Sequence, residues 1–290
     1  MIDIVSQISV GLSIASILLL IALGLAIIYG TMGVINLAHG EFVMLGAYAV
    51  WFLQTYLGIG LLAGLILVFI LIGLVGWVVE RSLIRHLYNR PLDTILATWG
   101  VGVILQQGVR LAAGAELRYV KMPDILTNPV TFLGYDESAY RIFIFVVAVA
   151  LLLVTYILVF RTEFGLQLRA ITQNRDIARC FGVNAGRIYS LTFAYGAGLA
   201  GLAGALVSPL KSVSPDMGTN YVVDAFLVVV AGGVQSLLGT VASSYLIGQA
   251  SGVLAFLSDD TMAKAIVFLS VVVLIRLFPQ GLFAMRVRRS

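Results

Sequence analysis

The chain has 290 residues, of which 60% are apolar and 11% charged, with a mean hydropathy of +1.04. A soluble domain carries about 25% charged residues, so this composition excludes a freely soluble enzyme and indicates a helical membrane protein. The net charge of +4 does not point to nucleic acid, because the basic residues fall in separate loops rather than in one patch.

Apolar segments close to the roughly 20 residues that cross a hydrocarbon core lie near 11–33, 41–57, 60–80, 92–113, 141–160, 188–209, 222–235, 238–257 and 263–279. The reading is one all-α transmembrane domain over 1–290. It has eight or nine crossings, depending on how the broken regions 33–41 and 232–240 are counted. The start Met1-Ile-Asp-Ile-Val lacks a basic n-region, and the first apolar run is too long for the core of a signal peptide.

The first break, Ile35-Asn-Leu-Ala-His-Gly-Glu41, holds Asn36, His39 and Glu41 between two apolar runs. An ionisable group at the bilayer centre costs about 2.5–3.5 kcal/mol on insertion scales. The expected reading of the cluster is a broken helix at a translocation path, with capping as the alternative. Its members can cap backbone groups that lipid leaves unsatisfied, or they can line a passage, where broken helices are tolerated. Thr98, Gln106 and Gln107 in the fourth segment, and Ser236 and Thr240 at the second break, are further candidates for a polar lining. Each could instead be a helix–helix hydrogen bond, worth on average only about 0.6 kcal/mol in membranes.

Basic residues gather in alternate loops: Arg81, Arg85 and Arg90; then Arg161, Arg169, Arg175, Arg179 and Arg187; then Arg276, Arg286, Arg288 and Arg289. The intervening loops are acidic or balanced: Glu116, Asp124, Asp136 and Glu137 against Arg118 and Lys121, then Asp259 and Asp260 before Lys264. The positive-inside rule makes the basic loops and the C-terminus cytoplasmic. His86 reads as a solvated interfacial residue, and the single cysteine, Cys180, as a small apolar packing residue.

Within the cytoplasmic segment 161–187, Asn174 is a good N-cap and Gly182 a good C′ residue for a two-turn helix over 175–181. Ile177, Ala178 and Phe181 are expected on one apolar edge. Such a helix either lies on lipid headgroups or docks a cytoplasmic partner. Further on, Ala197, Gly201 and Ala205 recur every four residues, as do Gly196, Ala200 and Gly204, a spacing that lets helix backbones approach closely. No phosphate loop is expected: Lys121, Lys211 and Lys264 are the only lysines, and none follows a glycine. No His-x-x-x-His or paired-carboxylate pattern suggests catalysis.

Asp176-Ile-Ala-Arg-Cys-Phe-Gly182 resembles the coupling loop of ATP-binding cassette import permeases, with Asp176-Ile177-Ala178 where Glu-Ala-Ala is usual. Gly33-Val-Ile-Asn-Leu-Ala-His-Gly-Glu-Phe-Val-Met-Leu-Gly-Ala-Tyr48 resembles the signature of permeases of the branched-chain amino acid and amide importer family. Ala197 to Ala205, Ala231 to Thr240 and Pro279-Gln-Gly-Leu-Phe283 match it too. Within that family, Arg90-Pro-Leu-Asp-Thr-Ile-Leu-Ala-Thr-Trp-Gly100, Leu105-Gln-Gln107, Arg110-Leu111 and Thr172-Gln-Asn-Arg175 look most like the urea-importing branch. The resemblance implies a non-enzymatic permease of a bacterial inner membrane, importing urea or short amides. It implies a second homologous permease subunit, two cytoplasmic ATP-binding subunits that hold ATP and Mg, and an extracytoplasmic solute-binding protein. Asn174, Arg175, Asp176, Ala178, Arg179, Phe181 and Gly182 would then dock the ATPase. The glycine and alanine rows, including Gly201 and Gly204, pack either within the chain or against the second permease. Rival readings are a branched-chain amino acid permease of the same family, and a stand-alone channel or secondary transporter.

Overall fold

The computed structural model describes residues 2–88, 90–132 and 135–283. Arg286, Arg288 and Arg289 of the basic tail, and the side chain of Asp136, lie outside the described residues. Among these, eleven α-helices and one hairpin form: α1 Ile2–Met32, α2 His39–Leu57, α3 Leu61–Ser82, α4 Pro91–Ala113, β1 Pro129–Phe132, β2 Tyr135–Ser138, α5 Ala139–Arg161, α6 Glu163–Gln173, α7 Arg175–Cys180, α8 Ala185–Val207, α9 Met217–Gly232, α10 Leu237–Leu257 and α11 Asp260–Leu277. The chain is a polytopic helical membrane protein. Six helices, α1, α3, α4, α5, α8 and α10, are long and apolar enough to cross a membrane. Three expected crossings fall short of that measure. The helix α9 has only 16 residues, α2 carries His39 and Glu41 in its first turn, and α11 carries Asp260, Lys264 and Arg276.

A helix that is apolar on every side belongs in the middle of a bundle, and α1 is there. Leu20, Ile21, Ala22, Leu23, Leu25 and Ile28 are fully buried, and α1 packs on α10, α8, α5 and α9. The helix α8 lies against α1, α2 and α3. Its two small-residue rows make that possible. A Cβ on Gly204 would come 1.9 Å from the carbonyl oxygen of Val43, and one on Gly196 would come 2.7 Å from that of Gly24. Gly201 faces α2 and α3 together: the side chain of Ile72 would lie 2.7 Å from an added Cβ, and its carbonyl already abuts Gly46. With Ala197 and Ala205 fully buried as well, the rows pack inside this chain. The outer surfaces of α3, α4, α5 and α11 carry exposed Ile66, Ile104, Val146 and Leu269, the composition of a lipid-facing wall.

The two ends of the bundle differ. At one, the antiparallel hairpin β1–β2 forms where only a loop of mixed charge was expected. The Ser9 hydroxyl donates to Glu137 at 2.6 Å, and Gln54 exchanges hydrogen bonds with the Lys121 backbone at 3.0 and 2.7 Å. At the other end, the stretch expected as loop before Asn174 forms α6. Thr162 caps it by accepting the Gly165 N–H at 3.2 Å, and Gly165, Leu168 and Ile171 face inward at three-residue spacing. The α3–α4 connection reaches this same end, where Arg85 approaches Gly186 at the start of α8 and Tyr88 stacks edge-on against Tyr189. The first two basic loops therefore share one end of the bundle.

Candidate functional site

The break between α1 and α2 sits inside the protein. Gly33 ends α1 with φ +65°, its N–H bonded to the Tyr29 carbonyl at 2.9 Å. Glycine enters that left-handed region at little steric cost. Asn36 is fully buried and folds back on its own backbone, Oδ1 accepting the Ala38 N–H at 3.0 Å. From α4, the Thr98 hydroxyl accepts the Leu37 N–H at 3.2 Å and donates to the Ile95 carbonyl at 3.0 Å. His39 is fully buried, with Nε2 3.0 Å from the Ile21 carbonyl in the middle third of α1. A carbonyl can only accept, so Nε2 carries a proton.

Three side-chain atoms here are buried without a hydrogen-bond partner: Asn36 Nδ2, His39 Nδ1 and Glu41 Oε2. Buried polar groups are nearly always satisfied, so three orphans around one helix start set this break apart from the rest of the bundle. Glycines on two neighbouring helices leave room for the Glu41 carboxyl. A Cβ on Gly218 of α9 would lie 2.8 Å from Oε2, and one on Gly102 of α4 would lie 3.5 Å from Cγ.

Beside this seam α4 meets the start of α9. Arg110 pairs with Asp216, and Gln106 donates to the same Asp216 oxygen at 2.9 Å. The structure thus brings Asn36, His39, Glu41 and Thr98 around one helix break, with Gln106 next to Asp216 nearby. Three other expected lining residues make contacts of their own or face outward. Gln107 points outward from α4. Ser236 caps α10 by accepting the Gly239 N–H at 3.0 Å, and Thr240 donates to the Ser236 carbonyl at 3.1 Å. Both lie in the tight α9–α10 turn after Gly233, engaged with their own helix. Asp216 was not singled out, since it lies in an irregular stretch whose spatial neighbour is far away in sequence.

At the basic end, α7 is capped as its sequence suggests. Asn174 Oδ1 accepts the N–H groups of Asp176 and Ile177 at 3.1 and 3.0 Å. Gly182 takes φ +82° and bonds to the Arg179 carbonyl at 2.9 Å. Two expectations need correction. Ala178 is buried against the bundle, whereas Ile177 and Phe181 are 56% and 85% exposed. At about 100° per residue, 178 turns away from the edge that 177 and 181 share. Cys180 is exposed, not packed; His86 is exposed as expected. The outer face of α7 therefore presents Ile177, Phe181, Asp176 and Arg179.

Glu80, which no sequence pattern marked, is fully buried near the end of α3. Its Oε1 accepts a short hydrogen bond from the Tyr88 hydroxyl and its Oε2 one from Ser190. Burial and the Glu80 hydrogen bond push the Tyr88 phenol above its ordinary range. The Arg175 guanidinium lies over the rings of Tyr88 and Tyr189, 5.6 and 5.4 Å from their centroids.

An apolar bundle with a partly unpartnered polar seam at a broken helix, and a capped amphipathic helix at its basic end, has the features of a membrane permease. The chain belongs to the family described as branched-chain amino acid transport system permease component, which matches residues 7–276. It is similar to the high-affinity branched-chain amino acid transport system permease protein LivH of Escherichia coli (strain K12), 29% identical over 288 residues, covering 94% of this chain and 92% of the relative. It is equally similar to the permease protein BraD of Pseudomonas aeruginosa, 29% identical over 291 residues, covering 94% and 93%. A probable branched-chain amino acid permease of Methanocaldococcus jannaschii is 26% identical over 249 residues, covering 83% and 78%. No solved structure matches the chain. It is a permease component, not an enzyme.

Proposed function

We propose that this chain is a membrane-spanning subunit of an ATP-driven importer in a bacterial inner membrane. Its basic end faces the cytoplasm, where α7 docks on an ATP-binding subunit, two of which power the importer. A second, homologous permease completes the path, and a solute-binding protein delivers cargo from outside. The family match over residues 7–276 carries this reading.

For the cargo we infer a branched-chain amino acid in preference to urea. The relatives are named for branched-chain amino acids, and the site offers both signs of charge. A zwitterion needs an acidic partner for its ammonium and a basic one for its carboxylate. Glu41 and Asp216 supply the first, and Arg110 the second. The Arg110 and Asp216 side chains are 35% and 65% exposed. An ion pair this open is worth only about 0–1 kcal/mol, so cargo can exchange with it at little cost. Urea remains a second reading, favoured by the Asp93-to-Trp99 resemblance and by the amide and hydroxyl groups of Asn36, Thr98 and Gln106.

Uptake of labelled leucine and labelled urea by cells expressing the complete importer separates the two. Leucine uptake that excess leucine suppresses and short amides leave intact is the expected result. Arg110→Gln should then raise the KM for leucine by about tenfold, the effect of losing roughly 1.4 kcal/mol of binding. Urea uptake competed only by short amides would overturn the amino-acid reading. Uptake that continues after ATP depletion would overturn the importer itself.

A further inference from the structure

We propose that Glu80 is the positioning residue that fixes the docking helix α7 to the bundle, and that it acts through the aromatic clamp on Arg175. This rests on the reading of α7 as the ATPase contact. The observation behind it is a chain of contacts that joins four separate parts of the protein. Glu80 belongs to α3, Tyr88 to the α3–α4 connection, Ser190 and Tyr189 to α8, and Arg175 to the first turn of α7.

Each link has a physical reason. A carboxyl with no exposure to solvent is costly unless its oxygens are hydrogen-bonded. Here both oxygens are used, one on the α3–α4 connection and one on α8. The acid therefore ties two elements that share no backbone hydrogen bonds among the described residues. The Tyr88 hydroxyl is held by Glu80, so its ring cannot slide along Tyr189, and the two rings meet at 61° with centroids 5.0 Å apart. Their faces receive the Arg175 guanidinium. A cation within about 6 Å of an aromatic face is attracted by the ring quadrupole, more strongly where water is excluded. The buried Nε of Arg175 has no hydrogen-bond partner, so the rings are what hold this end of the side chain. Burial and hydrogen bonding keep the Tyr88 phenol protonated, and so able to donate to Glu80. The single buried side chain within α7 itself, Ala178, supplies only a methyl group. Without the Arg175 clamp, a helix of 6 residues would be joined to the bundle by little more than its two ends. With it, force applied to Ile177 and Phe181 reaches α3, the α3–α4 connection and α8 together.

The test uses the complete importer reconstituted in lipid, with Glu80→Ala, Glu80→Gln and Tyr88→Phe in this subunit. Two quantities are read: the ratio of cargo-stimulated to unstimulated ATP hydrolysis, and amide hydrogen exchange across 174–183 against that of α8. Glu80→Ala should lower the ratio about fivefold, the size of losing one partly desolvated cation–π contact. Exchange should rise in 174–183 while α8 stays protected. Glu80→Gln should restore both, since its amide can accept from Tyr88 and donate to Ser190. Tyr88→Phe keeps the ring but not the hydroxyl and should repeat the loss; it decides the matter if Glu80→Ala does not assemble. Wild-type ratio and exchange in both Glu80→Ala and Tyr88→Phe would overturn the proposal. Co-purification of the ATPase with Phe181→Ala tests the docking reading separately. If the ATPase is retained there in full, α7 is not its contact, while the exchange measurement still reports whether Glu80 secures α7.

Discussion

Thr98 shows how one hydroxyl can hold a break in a membrane helix. It accepts the Leu37 N–H, a backbone donor that the ended α1 no longer satisfies, and it comes from a different helix. Thr98→Val keeps the shape and removes the acceptor, leaving a buried N–H unpaired at about 1–3 kcal/mol. The expected outcome is a lower unfolding temperature in detergent and reduced uptake, with Thr98→Ser near wild type. Equal stability of the valine and threonine proteins would show that Leu37 finds water instead. Asn36, His39 and Thr98 could be chosen from the sequence, because polar side chains in apolar surroundings are conspicuous whatever their partners. Asp216 and Glu80 could not. Each is one acid near a segment end, ordinary in one dimension, and becomes notable only once Arg110 and Gln106, or Tyr88 and Ser190, come to meet it. Ser236 and Thr240 illustrate the opposite ambiguity. Polar residues at a helix break are as useful for capping as for lining, and the alphabet of residues is the same for both.

At the level of helices, the tightest constraint is on α8. Gly204 touches the Val43 backbone so closely that an added methyl has no space, and the obstacle is a main-chain carbonyl that cannot rotate aside. Gly204→Ala should cost about 1–3 kcal/mol, as overpacking typically does, and Gly204→Val more. Thermal unfolding in detergent measures both. A neutral Gly204→Ala would mean that α2 and α8 separate more easily than their packing indicates. Gly182 poses a different problem: nothing lies near its missing Cβ, but its φ is +82°. Gly182→Ala should therefore cost about 1–2 kcal/mol through backbone strain alone. Exchange at the last amides of α7 should report it, with no change elsewhere. The nine long helices were legible because their apolar runs are long. The short α6 was missed because the spacing of its inward Gly165, Leu168 and Ile171 is blurred by Phe164 and an outward Leu166 between and beside them. The hairpin β1–β2 is only four residues per strand, too short for alternation to stand out.

For the molecule as a whole, two basic loops meet at one end, and the exposed thiol of Cys180 lies there. Being the chain's one cysteine, it reports which side of the membrane that end occupies. A membrane-impermeant maleimide should label it in inverted vesicles stripped of peripheral subunits, and not in right-side-out ones. The reverse pattern would turn the proposed orientation over.

The central place of α1 also has a bearing on biosynthesis. It is translated before every other helix described here, yet its most extensive neighbour is α10. The two backbones meet where Gly248 abuts Ala15 and Gly252 abuts Gly11, with Gln249 donating to the Ile8 carbonyl at 3.2 Å. Until α10 has been translated, the α1 face that receives it can be covered only by acyl chains. The uniform apolarity of α1 suits that wait, and a nascent chain stalled before residue 237 should sit in the membrane without having acquired its final tertiary order.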